Sequence, residues 1–302
     1  MKPLRLAVIG LGKLGEACGR AIMADQQLVL AGIVRRIEHV AEPLPDVFRM
    51  IPAVSHVSEL SAVDGAIICV PTEHVLQVAH DHLQHGVAIV ECAELHGEAF
   101  LQHKHAIDRS AVRHKTAALV GAGWDPGALS LFRNLFALLT PKGHTEMTHR
   151  PGVSLHHSTV AGAVPGVKQA LSTERHTIAG KTQRYVYVEL ESGVDPIKID
   201  RAIRSDPHFL GEEMLVFPVE SVAALEDEGH GVFMERRGAA AGCGHQLFLL
   251  EARFSKLALT AEVMLAAARA LPGCKARAYG LFDLPLGRLW GELRDRAEKE
   301  WI

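Results

Sequence analysis

Residues 4–15, Leu-Arg-Leu-Ala-Val-Ile-Gly-Leu-Gly-Lys-Leu-Gly, constrain this chain more than any other stretch. A short apolar run enters Gly-x-Gly-x-x-Gly, and a helical pattern follows from Leu14 to about Met23. That strand–turn–helix context is what a dinucleotide site requires. Gly10 permits the tight turn, Gly12 admits a pyrophosphate to the backbone, and Gly15 lets helix and strand pack closely. The helix that begins at Lys13 and Leu14 aims unpaired N–H groups and a partial positive charge at phosphates. A second apolar run, Leu28 to Val34, reads as the next parallel strand of a βαβ unit. At its end, where an NAD enzyme carries an acid for the ribose 2′-hydroxyl, stand Arg35 and Arg36. Two guanidiniums suit a 2′-phosphate, so NADP is the expected cofactor; the plain alternative is a solvated loop end.

The remaining composition narrows the class. With 302 residues, 48% apolar content and a net charge of −3, the chain has room for two globular domains and no basic face for nucleic acid. No apolar run reaches the roughly 18 residues that span a bilayer. The first strand starts within a few residues of Met1, which leaves no room for a signal peptide. Five scattered cysteines without a C-x-x-C pair suit a reducing cytoplasm.

Strands and helices alternate through the first part. Gly65 to Val70 is a buried strand, ended by Pro71-Thr72, and Val75, Leu76, Val78, Ala79 and Leu83 recur at helical spacing after it. Strands are expected near Ala53-Val54, at Val87–Val90 and at Ala117–Val120, with a polar helix from about Glu98 to Arg113. This is an α/β, Rossmann-like doubly wound domain, assigned to residues 1–122, with its ligands at the carboxyl ends of the strands. From there the pattern changes to an α+β layer over 123–271. Helices are expected over Ala128–Leu139, Gly152–Leu171 (kinked at Pro165-Gly166), Pro196–Ser205 behind an Asp195 cap, and Leu259–Ala270. Strands are expected at Tyr185–Leu190, Leu215–Glu220, Val232–Arg236 and Gln246–Phe254. The tail, about 272–302 with Trp290 and Trp301, is expected to fold back on the first domain.

Gly123-Trp124-Asp125-Pro126-Gly127 is the second informative motif. It sets a carboxylate and an indole at a strand end where a nicotinamide should lie; read blandly, Asp125 is a helix cap. Taken with the Gly10–Gly15 loop, Arg35-Arg36, Cys69-Val70-Pro71-Thr72, Pro165-Gly166-Val167 and Gly229-His230-Gly231-Val232, the chain resembles the meso-diaminopimelate dehydrogenase family, in its shorter variant. Tyr185 to Leu190 and Val219 to Val222 extend the likeness over nearly the whole chain. The resemblance implies NADP-dependent, reversible oxidative deamination at the D-centre of meso-diaminopimelate, and a homodimer whose second domain supplies the dimer contact and much of the pocket. It places Asp125 at the substrate amino group, Trp124 as a pocket wall, and Arg184 with His230 at the distal carboxylate. Cys69, Val70, Pro71 and Thr72 fall to the cofactor side.

Several positions depart from the family pattern. Glu94, after Ala93, aligns with the second active-site Asp; Leu155-His156-His157-Ser158 replaces a Gly before His-Ser; His245 aligns with a pocket asparagine. Glu174 aligns with a threonine that helps hold the distal carboxylate, unless the adjacent Thr173 serves. A carboxylate there repels a substrate carboxylate or pairs with Arg184, which would suit a D-amino acid or amine of another range. A rival of another class is a non-catalytic NADPH-binding sensor. The 18 histidines form no metal-binding sequence pattern, so no metal site is expected.

Overall fold

The computed structural model describes residues 3–150, 155–176, 182–211, 213–223, 225, 231–290, 296 and 299–300. It divides into two compact units, residues 1–135 with 257–302 and residues 136–256.

The first unit is built on a seven-stranded parallel sheet of order β13-β6-β5-β4-β1-β2-β3. Its strands are β1 (Leu4–Ile9), β2 (Leu28–Val34), β3 (Ala53–Val54), β4 (Gly65–Ile68), β5 (Ala88–Glu91), β6 (Ala118–Leu119) and β13 (Ala278–Tyr279). Successive side chains of a strand point to opposite faces, and β1 shows the result. Leu6 and Val8 join a core with Cys18 and Ile22 of α1 (Lys13–Ala24) and Ala261, Met264 and Leu265 of α7 (Lys256–Ala270). Ala7 and Ile9 join a second core with Val75, Ala79 and Leu83 of α2 (Thr72–Gln84) and Ile107 and Ala111 of α3 (Gly97–Arg113). Helices therefore cover both faces, as a doubly wound sheet requires.

The boundaries expected at 122/123 and 271/272 differ from the units observed. Leu129, early in α4 (Ala128–Leu139), is fully buried, and α7 lends six of its apolar side chains to the first unit's core. An apolar helix face belongs to whichever sheet it covers, and the change of strand pattern near residue 123 does not reveal that.

The second unit holds two three-stranded sheets. In one, β9 (Thr182–Leu190) lies between β8 (Val167–His176), antiparallel, and β10 (Glu213–Val219), parallel. Val186 and Val188 pack with Ala161 of α5 (Leu155–Gly162) and Ile199 and Ile203 of α6 (Pro196–Ser205). Asp195 caps α6 by accepting the N–H of Ile197 at 3.0 Å. In the other sheet, β11 (Gly231–Ala240) lies between β7 (Lys142–Arg150) and β12 (Cys243–Arg253), all antiparallel. Buried Arg236 ties that sheet to the end of α4, donating Nε to the Thr140 carbonyl at 2.9 Å and Nη1 to Thr145 Oγ1 at 2.8 Å.

The helix expected over 152–171 proves shorter. Residues 151–154 lie outside the described residues, α5 closes at Gly162, and Val167–Leu171 runs into β8. The Pro165-Gly166 turn ends the helix instead of kinking it, because Val167 onward finds backbone partners in β9. No helix among the described residues is long and apolar enough to cross a membrane.

Candidate active site

The glycine loop is shaped by what its side chains would displace. Gly10 adopts φ +90°, and its N–H donates to the Val34 carbonyl at 2.9 Å. The Cys69 carbonyl oxygen lies 2.8 Å from where a Cβ on Gly10 would stand, and a Cβ on Gly15 would strike the carbonyl of Gly10. Gly12, the N-cap of α1, has no atom within 4 Å of its own Cβ position. The loop is thus closed behind and open in front, which fits a pyrophosphate laid on the helix N-terminus. Lys13 is exposed at that terminus, while Leu14 packs towards the core.

The arginine pair at the end of β2 carries its own counter-ions. Arg35 Nη2 donates to Glu42 Oε2 and Nη1 to the Glu42 carbonyl, both at 3.0 Å. Arg36 is exposed, 3.0 Å from His39 Nε2, and His39 Nδ1 lies 2.8 Å from Glu42 Oε1. The hydrogen bond from His39, with Arg35 assisting, holds the Glu42 carboxyl below its ordinary range.

Three strand ends converge beside this loop. Cys69 directs its thiol inward to Cys18 Sγ at 3.8 Å, and that bond together with burial pushes the thiol well up. A thiol so placed is a packing group, not a nucleophile. Val70 joins the second core, Pro71 is the exposed N-cap of α2, and Thr72 Oγ1 accepts the N–H of Glu94 at 3.2 Å. The Glu94 side chain is exposed.

Beneath them, the wholly buried carboxylate of Glu91 closes β5. Its Oε2 accepts the N–H of Ala93 at 2.5 Å; its Oε1 accepts the N–H of Gly121 at 3.0 Å and meets His103 Nε2 at 3.2 Å. One side chain thereby fixes both the 92–94 turn that carries Glu94 and the 121–127 turn that carries Asp125.

The 123–127 turn folds back on itself through a Gly123–Gly127 bridge and the N–H of Ala128 on the Gly123 carbonyl at 3.0 Å. Trp124 is buried there. Asp125 does not read as a simple cap: both its oxygens accept from Arg133, Nη1 to Oδ1 and Nη2 to Oδ2, each at 2.9 Å. His96 Nδ1 lies 3.9 Å from Oδ1. This fork fixes the carboxylate plane and leaves each oxygen a further lone pair for a ligand. The sequence motifs include neither Arg133 nor His96, and His103, which reads as a solvated histidine on a polar helix face, is instead buried against Glu91. Arg133 had a signal, since it is the one charged residue in the apolar helix Ala128–Leu139. Glu91 had a weaker one, an acid closing an apolar strand.

In the second unit, Arg184 is buried and donates Nη1 to Ser172 Oγ at 3.4 Å. The β8–β9 register pairs Glu174 with Arg184 and Thr173 with Tyr185. Alternation therefore puts Thr173 on the sheet face opposite Arg184, where its hydroxyl is buried with no partner among the described residues. Thr173 does not stand beside that arginine. Leu155 and His156 open α5, with side chains outside the described residues. His245 is exposed, with φ +65°, beside the β11–β12 turn. His230 lies outside the described residues.

Residues 4–91 match a family model described as "Oxidoreductase family, NAD-binding Rossmann fold". A meso-diaminopimelate D-dehydrogenase of Bacteroides fragilis is 35% identical across all of this chain and 99% of its own length. Among solved structures, a meso-diaminopimelate dehydrogenase mutant from Clostridium tetani, crystallised with diaminopimelate, superposes with a TM-score of 0.67. It is 25% identical, and the match covers 99% of this chain and all of that one. An engineered D-amino acid dehydrogenase bound to NADP+ shares the fold at a TM-score of 0.65 and 20% identity, over the full length of both chains.

Replacing Glu91 by Gln should destabilise the fold by about 2 kcal/mol, the scale of losing hydrogen bonds to a buried charge. A denaturant midpoint equal to that of the parent chain would show that the carboxylate does not hold the two turns.

Proposed function

The chain belongs to the meso-diaminopimelate D-dehydrogenase family, and from that premise we propose that it catalyses NADP-dependent, reversible oxidative deamination at the D-centre of meso-diaminopimelate, giving 2-amino-6-oxopimelate and ammonia. The observation that carries this reading is Asp125, gripped by Arg133 at the end of the sheet that bears the glycine loop. The nicotinamide, when bound, supplies the acceptor for hydride.

The residues of the chain do the rest. The amine must be neutral for its lone pair to help expel hydride, and the carbon it leaves becomes an iminium. Asp125 accepts an N–H of the amine and lies against the positive charge as it develops. Arg133 offsets part of the aspartate's charge but fixes its direction, so the carboxylate needs no reorganisation during the step. Glu94, hung from Thr72, is the second acid and serves the water that hydrolyses the imine. In the first unit Trp124 stands beside Asp125 as a wall for the amine; in the second, Leu155, His156 and His245 serve the substrate, while Thr173, on the face opposite Arg184, does not. The buried Arg184 receives the distal carboxylate with His230, since a guanidinium fork matches that group. The register that sets Glu174 across from Arg184 favours, as a second reading, a D-amino acid or amine without a distal carboxylate.

Gly10, Gly12, Lys13, Leu14 and Gly15 hold the pyrophosphate, Cys69 to Thr72 border the nicotinamide side, and Arg35 and Arg36 receive the 2′-phosphate. That phosphate replaces Glu42 as the anion among two guanidiniums and an imidazole. The first unit thus carries the cofactor residues together with Asp125 and Glu94, and the second carries the distal-carboxylate residues and the dimer contact. In the second unit, Tyr185, Tyr187, Leu215 and Phe217 lie on the face of their sheet away from α5 and α6. Phe217 stacks on both tyrosines yet stays 38% exposed, an apolar surface suited to a second copy. The five free thiols suit reaction in the cytoplasm.

Purified protein with NADP and meso-diaminopimelate at alkaline pH should form NADPH, read by its absorbance, and Asp125→Asn should lower kcat about a hundredfold while still binding NADPH. Turnover of D-lysine or D-alanine in place of the dicarboxylate would install the second reading. NADPH binding without turnover of any amine or oxo acid would mark a sensor. Arg36→Ala should raise the KM for NADP about tenfold and leave that for NAD unchanged; equal effects on both would remove the 2′-phosphate role. Light scattering after size exclusion should give a dimer, and Phe217→Arg a monomer; a monomeric parent chain would end the dimer proposal.

A further inference from the structure

Behind the end of α2, three imidazoles surround one carboxylate. His56 Nε2 lies 3.1 Å from Asp81 Oδ2, His82 Nδ1 lies 3.7 Å from the same oxygen, and His85 Nδ1 lies 3.9 Å from Asp81 Oδ1. His56 arrives from the turn after β3, while Asp81 lies in the last turn of α2 and His85 is the C-cap of that helix. Sequence spacing hides the group, because 25 residues separate His56 from Asp81.

The hydrogen bonds assign the nitrogens. His85 Nδ1 lies 2.8 Å from the Asp81 carbonyl, an acceptor only, so it donates and its Nε2 keeps a lone pair. His56 Nδ1 accepts the N–H of Ser58 at 3.2 Å and lies 2.6 Å from Ser58 Oγ, which puts the ring proton on Nε2, shared with Asp81. His82 donates Nδ1 to the Val78 carbonyl at 2.8 Å and has a buried Nε2 without a partner among the described residues.

We propose that His56, Asp81 and His85 form a binding site for a divalent transition-metal cation of the zinc class, with water completing its shell. One ligand atom from each lies within 4.8 Å of the others, and all three side chains reach solvent. Two imidazoles and a carboxylate are a donor set that zinc, nickel and copper accept. The cation takes the place of the proton between His56 and Asp81. That proton moves to His56 Nδ1, which gives up accepting the Ser58 N–H, donates to Ser58 Oγ instead and so orients the ring, as outer partners of metal-bound histidines do. The ion would pin residues 55–59 to α2. Those residues follow β3, whose Val54 carbonyl accepts the N–H of Arg35 at 2.9 Å, so the metal braces the strand behind the arginine pair.

The test uses the full chain, stripped with a chelator and titrated calorimetrically with zinc alone. One equivalent should bind with micromolar or tighter affinity and raise the melting temperature. His56→Ala and His85→Gln should each weaken binding about tenfold, the second being an exposed position just past the end of α2. Exposed His105→Ala should leave the affinity unchanged. Copper in place of zinc should show two coordinated nitrogens by electron paramagnetic resonance, and one in either variant. Absence of a stoichiometric site, or unaltered zinc affinity in the doubly substituted chain, overturns the proposal. So does a copper spectrum that ignores both substitutions.

Discussion

A buried acid has to be repaid in hydrogen bonds, and Glu91 is repaid by the backbone of the two turns that matter most. Its carboxylate lies at a strand end where β5 and β6 release the chain into loops, which are ordinarily the mobile part of a doubly wound fold. By accepting the N–H groups of Ala93 and Gly121, it binds the start of each loop to the rigid sheet. His103 reaches it from α3, so sheet, helix and both loops share one anion. The separation of Glu94 from Asp125 is consequently set by the sheet's own spacing rather than by loop packing.

Above that anion a second ionic arrangement has the opposite character. The Asp125–Arg133 fork is partly open to solvent, and it constrains orientation more than it stabilises the fold. A bare aspartate at the mouth of a cleft would sample several rotamers. One held at both oxygens presents its remaining lone pairs in a single direction. The arginine pair at the end of β2 shows the same device, where Glu42 holds both Arg35 and His39. In both places an ionic partner within the chain holds the side chains in one orientation, which removes an entropy cost that any ligand would otherwise meet.

The sheet was legible because a parallel strand buried on both faces reads as a continuous apolar run, as β2 and β4 do throughout, β1 after Arg5 and β5 up to Glu91. Gly15 was legible because a Cβ there collides with the backbone of Gly10. β7 and β8 were harder. Lys142–Arg150 is mostly polar, and Val167–His176 begins inside a stretch whose composition suits a helix equally well; each becomes a strand through its partners. The two-residue strand β13 carries no pattern at all. Within the site, backbone-defined residues announced themselves through glycine and proline. Arg133, Glu91 and the residues around Asp81 act through side-chain contacts between separate elements, which local spacing does not encode.

The order of the sheet also bears on synthesis. β13 comes from residues 278–279 yet pairs with residues 118–119, and α7 enters the first unit's core from beyond the whole second unit. A chain emerging from the ribosome presents residues 136–256 as one uninterrupted stretch, so the second unit has all its strands before the first has its last. The amino-terminal sheet must wait with an edge uncovered at β6 and one face short of a helix. The part of the molecule written first is completed last, and between those moments its nascent chain carries the greatest hazard of mispairing.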